Sequence, residues 1–137
     1  MSETIVFDAE PIIAYLDDEP GSDIVERWID RVTTSEIDGY ISPVTKTEVL
    51  YVGVRIGFEE RTVRAALARL EELGVSVYSP ANCWNVAAVF KTRYDLPLGD
   101  AYALATADAV EGMLLVGADD DFEDVAVPIE RFRDDPA

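Results

Sequence analysis

Four acidic residues in separate segments of the sequence have types and positions that could form one metal site. Asp8 directly follows the first apolar stretch, and Asp119 lies just beyond the last long one. Glu48 shares one side of a predicted helix with apolar residues, and Asp100 begins an Ala-rich segment with few charges. A glutamate is rarely buried unless it is paired. The position of Glu48 among apolar residues therefore favours a role in binding a metal or a substrate.

The absence of histidine from the sequence limits the chemistry that these acids could perform. It excludes His-dependent nucleophilic catalysis and His-ligated zinc, while Cys83, the one cysteine, cannot form an internal disulfide. Four carboxylates about 5 Å apart repel by roughly 3 kcal/mol per pair at an effective dielectric near 20, so convergence requires a cation. Oxygen ligands alone suit Mg²⁺ or Mn²⁺.

Such a divalent ion would give the acids a reaction to catalyse. It lowers the pKa of a bound water, and two ions about 4 Å apart stabilise both the attacking and the leaving oxygen in phosphodiester cleavage. This chemistry needs no histidine, in agreement with the composition.

Each acid also has a structural explanation when it is considered alone. Asp8 could cap the following helix, and Asp100 could interact with the N-terminus of its own helix. Glu48 could pair with Arg55 two turns later. The acidic run 119–121 could be a solvated loop. The functional interpretation therefore depends on the four acids occurring together.

The hydrophobic periodicity predicts strands that alternate with helices in a single domain over residues 1–137. The predicted strands are Thr4–Phe7, 39–42, 75–79, 113–117 and 125–129. The predicted helices are 9–17, 22–32, 43–56, 58–74, 82–94 (capped by Asn82) and 97–112. This alternation implies an α/β fold with a parallel sheet covered on both faces, in which functional residues lie beyond the carboxyl ends of the strands.

The composition is strongly acidic, with a net charge of −17 and two lysines in the whole sequence. This pattern is typical of a protein from a salt-loving organism, where carboxylates hold hydration and salt screens their repulsion. The N-terminus lacks the basic region of a signal peptide, and no apolar run approaches the roughly 20 residues of a membrane span. We therefore expect a cytoplasmic protein with no membrane partner.

The order of four motifs resembles that of the PIN-domain nucleases, particularly the small VapC-type toxins. The resemblance covers about residues 4–130, and the four motifs are VFDAEPIIAYL, ISPVTKTEVLY, LPLGDAYALATA and LLVGADDDFEDV. It implies a three-layer α/β/α sandwich with a parallel, roughly five-stranded sheet. It also implies endonucleolytic cleavage of RNA that depends on Mg²⁺ or Mn²⁺.

The resemblance assigns metal-binding and catalytic roles to particular residues. The positions that match the metal-binding acids of the family are Asp8, Glu48, Asp100 and Asp119, and the second acid of the last motif matches Asp121. VapC-type toxins typically form homodimers and are inhibited by a small antitoxin that reaches into the acidic site. The amphipathic helices at 23–32 and 59–73 could offer apolar stripes to either partner, or could simply face the sheet.

The sequence departs from the family pattern at two of the four motifs. Ala9 and Glu10 follow Asp8 where the family often has Thr or Ser. Gly117 and Ala118 stand in the last motif where Thr or Ser is usual before the acid. The lost hydroxyls could loosen the surroundings of the metal but remove no ligand.

The negative charge is unusual for an RNA-binding protein, whose binding surface is normally basic. Contacts to RNA would then depend on the metal, on hydrogen bonds and on local cations, for which Lys46, Arg55 and Arg93 are candidates. Haloacid-dehalogenase-type phosphatases and receiver domains are disfavoured, because the first motif lacks D-x-D and no lysine follows Lys91. A PIN-like binding or assembly module without catalysis, and a housekeeping RNA-processing nuclease, stay open.

Overall fold

A computed structural model describes residues 3–118 and 120–134 and contains a five-stranded sheet with the order β3-β2-β1-β4-β5. All four neighbouring pairs are parallel, so the carboxyl ends of the strands share one edge of the sheet. The strands are β1 (Thr4–Phe7), β2 (Asp38–Ile41), β3 (Val75–Val77), β4 (Met113–Val116) and β5 (Ile129–Arg131).

Helices cover both faces of this sheet. They are α1 (Ala9–Leu16), α2 (Ser22–Thr33), α3 (Pro43–Arg55), α4 (Glu60–Glu72), α5 (Trp84–Tyr94) and α6 (Leu98–Ala109). One hydrophobic core joins the sheet to α1, α2, α3 and α4, and a second joins it to α5 and α6. The three-layer α/β/α architecture expected from the sequence is therefore confirmed.

The burial of the central strand β1 on both faces explains why its sequence is apolar at successive positions and does not alternate with polar residues. Ile5, Val6 and Phe7 are all fully buried. Ile5 and Phe7 pack into the core beneath α1–α4, while Val6 packs into the core beneath α5 and α6. A parallel strand with both faces covered needs an apolar side chain at every position, which is the pattern the sequence has.

The apolar stripes of α2 and α4 face the interior of the protein. Their buried residues all belong to the first core, and they are Val25, Ile29 and Val32 of α2 and Val63, Leu67 and Leu70 of α4. The structure therefore supports the alternative that these stripes face the sheet. Large exposed apolar side chains lie elsewhere, and they include Tyr51, Val54 and Ile56 near the end of α3.

The start of α5 differs from the prediction. Asn82 does not cap this helix but ends a short 3₁₀ helix, Pro80–Asn82, and α5 begins at Trp84. The hydroxyl of Ser79 accepts a hydrogen bond from the backbone N–H of Ala81 at 3.3 Å. A Ser followed by a Pro is itself a favourable helix start. The 3₁₀ helix begins at this pair, so Asn82 lies at its end and not at the start of α5.

The last strand was predicted at 125–129 and lies instead at Ile129–Arg131. Pro128 has no N–H to donate, and its carbonyl accepts the hydrogen bond from Leu114 N–H at 3.0 Å. The residues paired with β4 are therefore Ile129 to Arg131, and the hydrogen bond to the Pro128 carbonyl lies at the start of this pairing. Val127 is buried in the core beneath α5 and α6.

No helix among residues 3–118 and 120–134 combines the length and the apolar character needed to cross a membrane.

Candidate active site

The candidate site lies at the carboxyl ends of β1 and β4, where the strand order reverses. From β1 the chain proceeds outward to β2 and β3, and it then returns to form β4 and β5 on the other side. Such a switch point leaves a crevice beyond the strand ends in parallel sheets. The backbone N–H of Asp8 donates to the carbonyl of Leu115 at 3.0 Å, which places Asp8 at this point.

Asp8 is a buried acid, since only 3% of its surface is exposed. It occupies the N-cap position of α1, but its side chain makes no capping hydrogen bond. Helix capping, the structural explanation for this residue, therefore does not account for its carboxylate. Burial of a carboxylate is costly unless other groups or a cation compensate the charge.

Glu48 lies in the second turn of α3, which begins directly after β2. Ser42 caps this helix by accepting a hydrogen bond from Val44 N–H at 3.1 Å, and Pro43 occupies its first position. Glu48 is half-buried, and this desolvation raises the pKa of its carboxyl above the ordinary value.

The alternative explanation of Glu48 as a partner of Arg55 is not supported by the structure. Arg55 donates a hydrogen bond to the hydroxyl of Tyr51 at 2.9 Å and lies over its ring. Within residues 3–118 and 120–134, Glu48 forms no ion pair or side-chain hydrogen bond. A half-buried carboxylate of this kind is a suitable ligand for a cation.

Asp100 is in the first turn of α6, at the same edge of the sheet as Glu48. The preceding residue, Gly99, lies against Glu48, so that a Cβ on residue 99 would overlap the oxygen Oε1 of that carboxylate. The fold therefore brings the start of α6 into contact with the acid of α3. Asp100 itself is half-buried.

The remaining two predicted ligands belong to the segment that follows β4. Asp119 lies outside the described residues, and Asp121 is exposed in a turn. In the part of the chain that the structure describes, no three Asp, Glu or Cys side chains are grouped so that they could hold a metal ion. The assignment of a four-acid metal site therefore stays a prediction.

Glu10 is an acid of this edge that the sequence reasoning did not select. Its oxygen Oε2 accepts a hydrogen bond from Ala118 N–H at 3.2 Å, and its carboxylate lies directly over Gly117. Arg133 pairs with the same carboxylate oxygen at 3.2 Å. The signal in the sequence was that Glu10 and Gly117 belong to the two segments that depart from the family pattern, Ala9–Glu10 and Gly117–Ala118.

A groove with a volume of about 400 Å³ leads from this acidic edge between α1 and α3. It is lined by Ala9, Glu10, Ile13, Glu19, Glu48, Val52, Ile56 and Arg133. Its floor is largely apolar, and its charged groups are three acids and one arginine. A ligand in this groove would lie directly beside Glu48.

The three cations predicted to bind substrate are not brought together by the fold. Lys46 pairs with Glu71 at 3.3 Å, in a separate hollow between α3 and α4. Arg55 lies at the end of α3, and Arg93 is exposed on α5, in the helical layer on the other face of the sheet. Their role in substrate binding stays a prediction.

The sequence matches the PIN domain family over residues 5–128, which is most of the chain. The chain belongs to the PIN-domain family. The match runs through the segments that carry Asp8, Glu48 and Asp100. A search of the curated proteins finds no significant match.

Solved structures share the fold of this PIN domain. A toxin–antitoxin complex from Klebsiella pneumoniae contains a chain that is 22% identical, with a TM-score of 0.68, and the alignment covers 89% of this chain and 92% of that one. VapBC2 from Rickettsia felis, bound to a DNA fragment from its promoter, gives a TM-score of 0.73 at 13% identity, with 93% and 98% covered. At these identities the likeness concerns the fold.

Proposed function

We propose that this PIN domain is a divalent-metal-dependent endoribonuclease and the toxin of a VapBC-type toxin–antitoxin pair. The observation that carries the proposal is the environment of Glu48. This carboxylate is half-buried, forms no ion pair with the described residues, and lies against the start of the helix that carries Asp100. A divalent cation would supply the charge that this environment lacks.

The donor set fits Mg²⁺ or Mn²⁺. Asp8, Glu48 and Asp100 would each supply carboxylate oxygens from segments that follow or begin elements at the carboxyl edge of the sheet, and Asp119 would supply the fourth group. Asp121 is exposed and would assist through a water molecule. Neither histidine nor a second cysteine is available to favour zinc.

A bound divalent ion lowers the pKa of a coordinated water and neutralises charge that develops on phosphoryl oxygens. The protein's own residues position these groups. Asp8 is held by its backbone hydrogen bond to β4, and Glu48 is confined by its contact with Gly99. Preorganised ligands of this kind lose little freedom when the reaction complex forms.

RNA binding by so acidic a protein requires that metal contacts supply much of the attraction to phosphate. The groove beside Glu48 has one arginine, Arg133, and that arginine is already paired with Glu10 and Glu19. Binding through counterion release is weak in concentrated salt. The proposed substrate contact is therefore a phosphate that bridges to the metal, helped by hydrogen bonds and by local cations.

An antitoxin partner and a homodimer are part of the same proposal. The structural neighbours include a toxin–antitoxin complex and VapBC2, which supports an antitoxin of the same kind. Tyr51, Val54 and Ile56 are large exposed apolar side chains near the end of α3, and Ile56 also lines the groove. An antitoxin that covers Ile56 would reach the acidic edge. An RNA substrate and such a partner both imply a cytoplasmic protein.

Cleavage of RNA at high salt, with and without Mn²⁺, tests the enzymatic proposal. Wild-type protein is expected to cleave only with the metal, and Asp8→Asn is expected to lose cleavage while it stays folded. Asp38→Asn is a matched control, because Asp38 is exposed at the amino end of β2 and far from the site edge. Cleavage by Asp8→Asn at the wild-type rate would contradict the metal-site assignment.

The second candidate is a PIN-like binding or assembly module without catalysis. The observation that favours it is the loss of the usual Thr or Ser at two motifs, where Ala9 and Glu10 follow Asp8 and Gly117 and Ala118 precede the last acid. Absence of RNA cleavage by wild-type protein that binds Mn²⁺ would support this candidate. Cleavage that a cognate antitoxin does not inhibit would instead favour a housekeeping nuclease.

A further inference from the structure

The peptide unit that joins Gly117 to Ala118 is held at both ends by charged side chains. Its carbonyl oxygen accepts a hydrogen bond from Arg131 Nη1 at 2.6 Å, and its N–H donates to Glu10 Oε2 at 3.2 Å. The Arg131 cation thus lies at the negative end of the peptide dipole, and the Glu10 carboxylate lies at its positive end. Hydrogen bonds to charged groups are stronger than neutral ones, so this peptide plane is firmly oriented.

Glu10 is itself held in place by a buried arginine. Arg133 contacts Glu10 Oε2 through Nε at 3.3 Å and through Nη2 at 3.2 Å, and it pairs with Glu19 at 3.1 Å. Its Nη1 also donates to the carbonyl of Pro20 at 3.1 Å, and its side chain is only 9% exposed. Partly buried ion pairs are screened less by salt than exposed ones, so we expect this arrangement to persist at high ionic strength.

Gly117 is required by this arrangement and not by the local backbone. It is absent from the glycines with positive φ, so its conformation is open to other residues. A Cβ at this position, however, would overlap the Glu10 carboxylate. The absence of a side chain at residue 117 therefore leaves room for the Glu10 carboxylate to reach the Ala118 N–H.

We propose that Glu10 and Arg131 are positioning residues that fix the orientation of the Gly117–Ala118 peptide, with which the last acidic motif begins. The proposal rests on the proposed function, in which Asp119 is a metal ligand. Glu10 acts through the peptide and does not bind the ion, because Arg133 already compensates its charge. The Glu10 carboxylate and the absence of a side chain at Gly117 together orient the peptide at the start of the last acidic motif.

Three variants separate this role from a general effect on folding. Glu10→Ala removes the acceptor for Ala118 N–H, Gly117→Ala displaces the carboxylate, and Glu10→Gln keeps an oxygen acceptor without the charge. Loss of groups that orient metal ligands typically costs about 10- to 100-fold in metal affinity or activity. We expect losses of that size in Mn²⁺ affinity for Glu10→Ala and for Gly117→Ala, and a smaller loss for Glu10→Gln.

The double variant tests the contact itself. Gly117→Ala should cause no further loss of Mn²⁺ affinity in the Glu10→Ala background, because both changes remove the same interaction. Hydrogen exchange at the Ala118 amide should be faster in Glu10→Ala and near the wild-type rate in Glu10→Gln. Glu60→Ala is the matched control, because Glu60 is also a first-turn glutamate paired with an arginine but is exposed, with 62% of its side chain accessible.

Calorimetric titration with Mn²⁺ in concentrated salt gives the affinities, and thermal unfolding shows which variants are folded. Wild-type affinity in Glu10→Ala, or losses that multiply in the double variant, would overturn the positioning role. A second outcome would also overturn the positioning role. If Glu10→Gln loses as much Mn²⁺ affinity as Glu10→Ala while the Ala118 amide stays protected from exchange, Glu10 is a direct ligand of the ion.

The same titrations distinguish failure of this inference from failure of the proposed function. Wild-type protein that binds Mn²⁺ but cleaves no RNA contradicts the nuclease, while the affinity ratios still decide the role of Glu10. Wild-type protein that cleaves RNA, with Glu10→Ala cleaving and binding equally well, contradicts only the positioning role. Wild-type protein that binds no Mn²⁺ overturns both.

Discussion

The carboxylate of Glu48 lies against the backbone of Gly99, so that the acid of α3 touches the residue that precedes Asp100 in α6. Neither residue is near the other in the sequence. The contact connects two of the four acidic motifs directly and leaves no room for a side chain at residue 99. It also explains why a half-buried glutamate has a defined position although it forms no ion pair with the described residues.

Gly99→Ala should therefore displace Glu48 and weaken metal binding. Because residue 99 is within the first turn of a helix, alanine suits the backbone and the effect should come from the overlap. We expect a loss of about 10- to 100-fold in RNA cleavage and Mn²⁺ affinity. The shorter acid in Gly99→Ala/Glu48→Asp should recover part of the affinity. Full activity of Gly99→Ala would contradict a role for Glu48 at the metal.

Glu48→Gln should change the pH dependence of stability in the absence of metal. Burial raises the pKa of Glu48 in the folded protein, so the native state holds this proton more tightly than the unfolded state does. Stability is then fully present below the unfolded pKa and is lost as pH rises through the folded pKa. Chemical unfolding above and below pH 4.5, the ordinary value for this group, should show that the variant is more stable than wild type only at the higher pH.

Mn²⁺ should stabilise the folded wild-type protein. Binding only to the native state at 100 times Kd contributes about 2.7 kcal/mol, which corresponds to a rise in Tm on the order of 10 °C for a domain of this size. Asp8→Asn should show a much smaller rise, whereas Asp38→Asn should match wild type. Differential scanning calorimetry in concentrated salt measures all three. An unchanged wild-type Tm at millimolar Mn²⁺ would speak against a cation site.

Val54→Asp should weaken binding of the antitoxin. Val54 is 46% exposed near the end of α3, where Tyr51 and Ile56 are exposed as well. A charge at the centre of a buried apolar contact commonly costs 2 kcal/mol or more, or roughly 30-fold in affinity. Val89→Asp is a matched control on α5, since Val89 is 50% exposed on the other helical layer. Equal affinities of both variants, measured by titration with the antitoxin, would place the interface elsewhere.

Local patterns in the sequence were sufficient to predict the architecture. The apolar run of β1 indicates a strand covered on both faces, and the Ala-rich α6 indicates a helix buried nearly all round. Local patterns were less reliable where two signals compete. Asn82 and Ser79 both favour a helix start, and the strand predicted at 125–129 contains a proline that displaces the pairing toward Arg131.

The sequence by itself determined that acids follow β1 and begin α6, and that the chemistry must do without histidine. Only the tertiary structure decided which groups meet those acids. Glu10 and Gly117, which belong to the two segments that depart from the family pattern, form a single contact across the sheet edge, and Gly99 lies against Glu48 in the same way. Periodicity and capping report interactions between residues a few positions apart, whereas these contacts join residues that only the packing of the parallel sheet and its helices brings together.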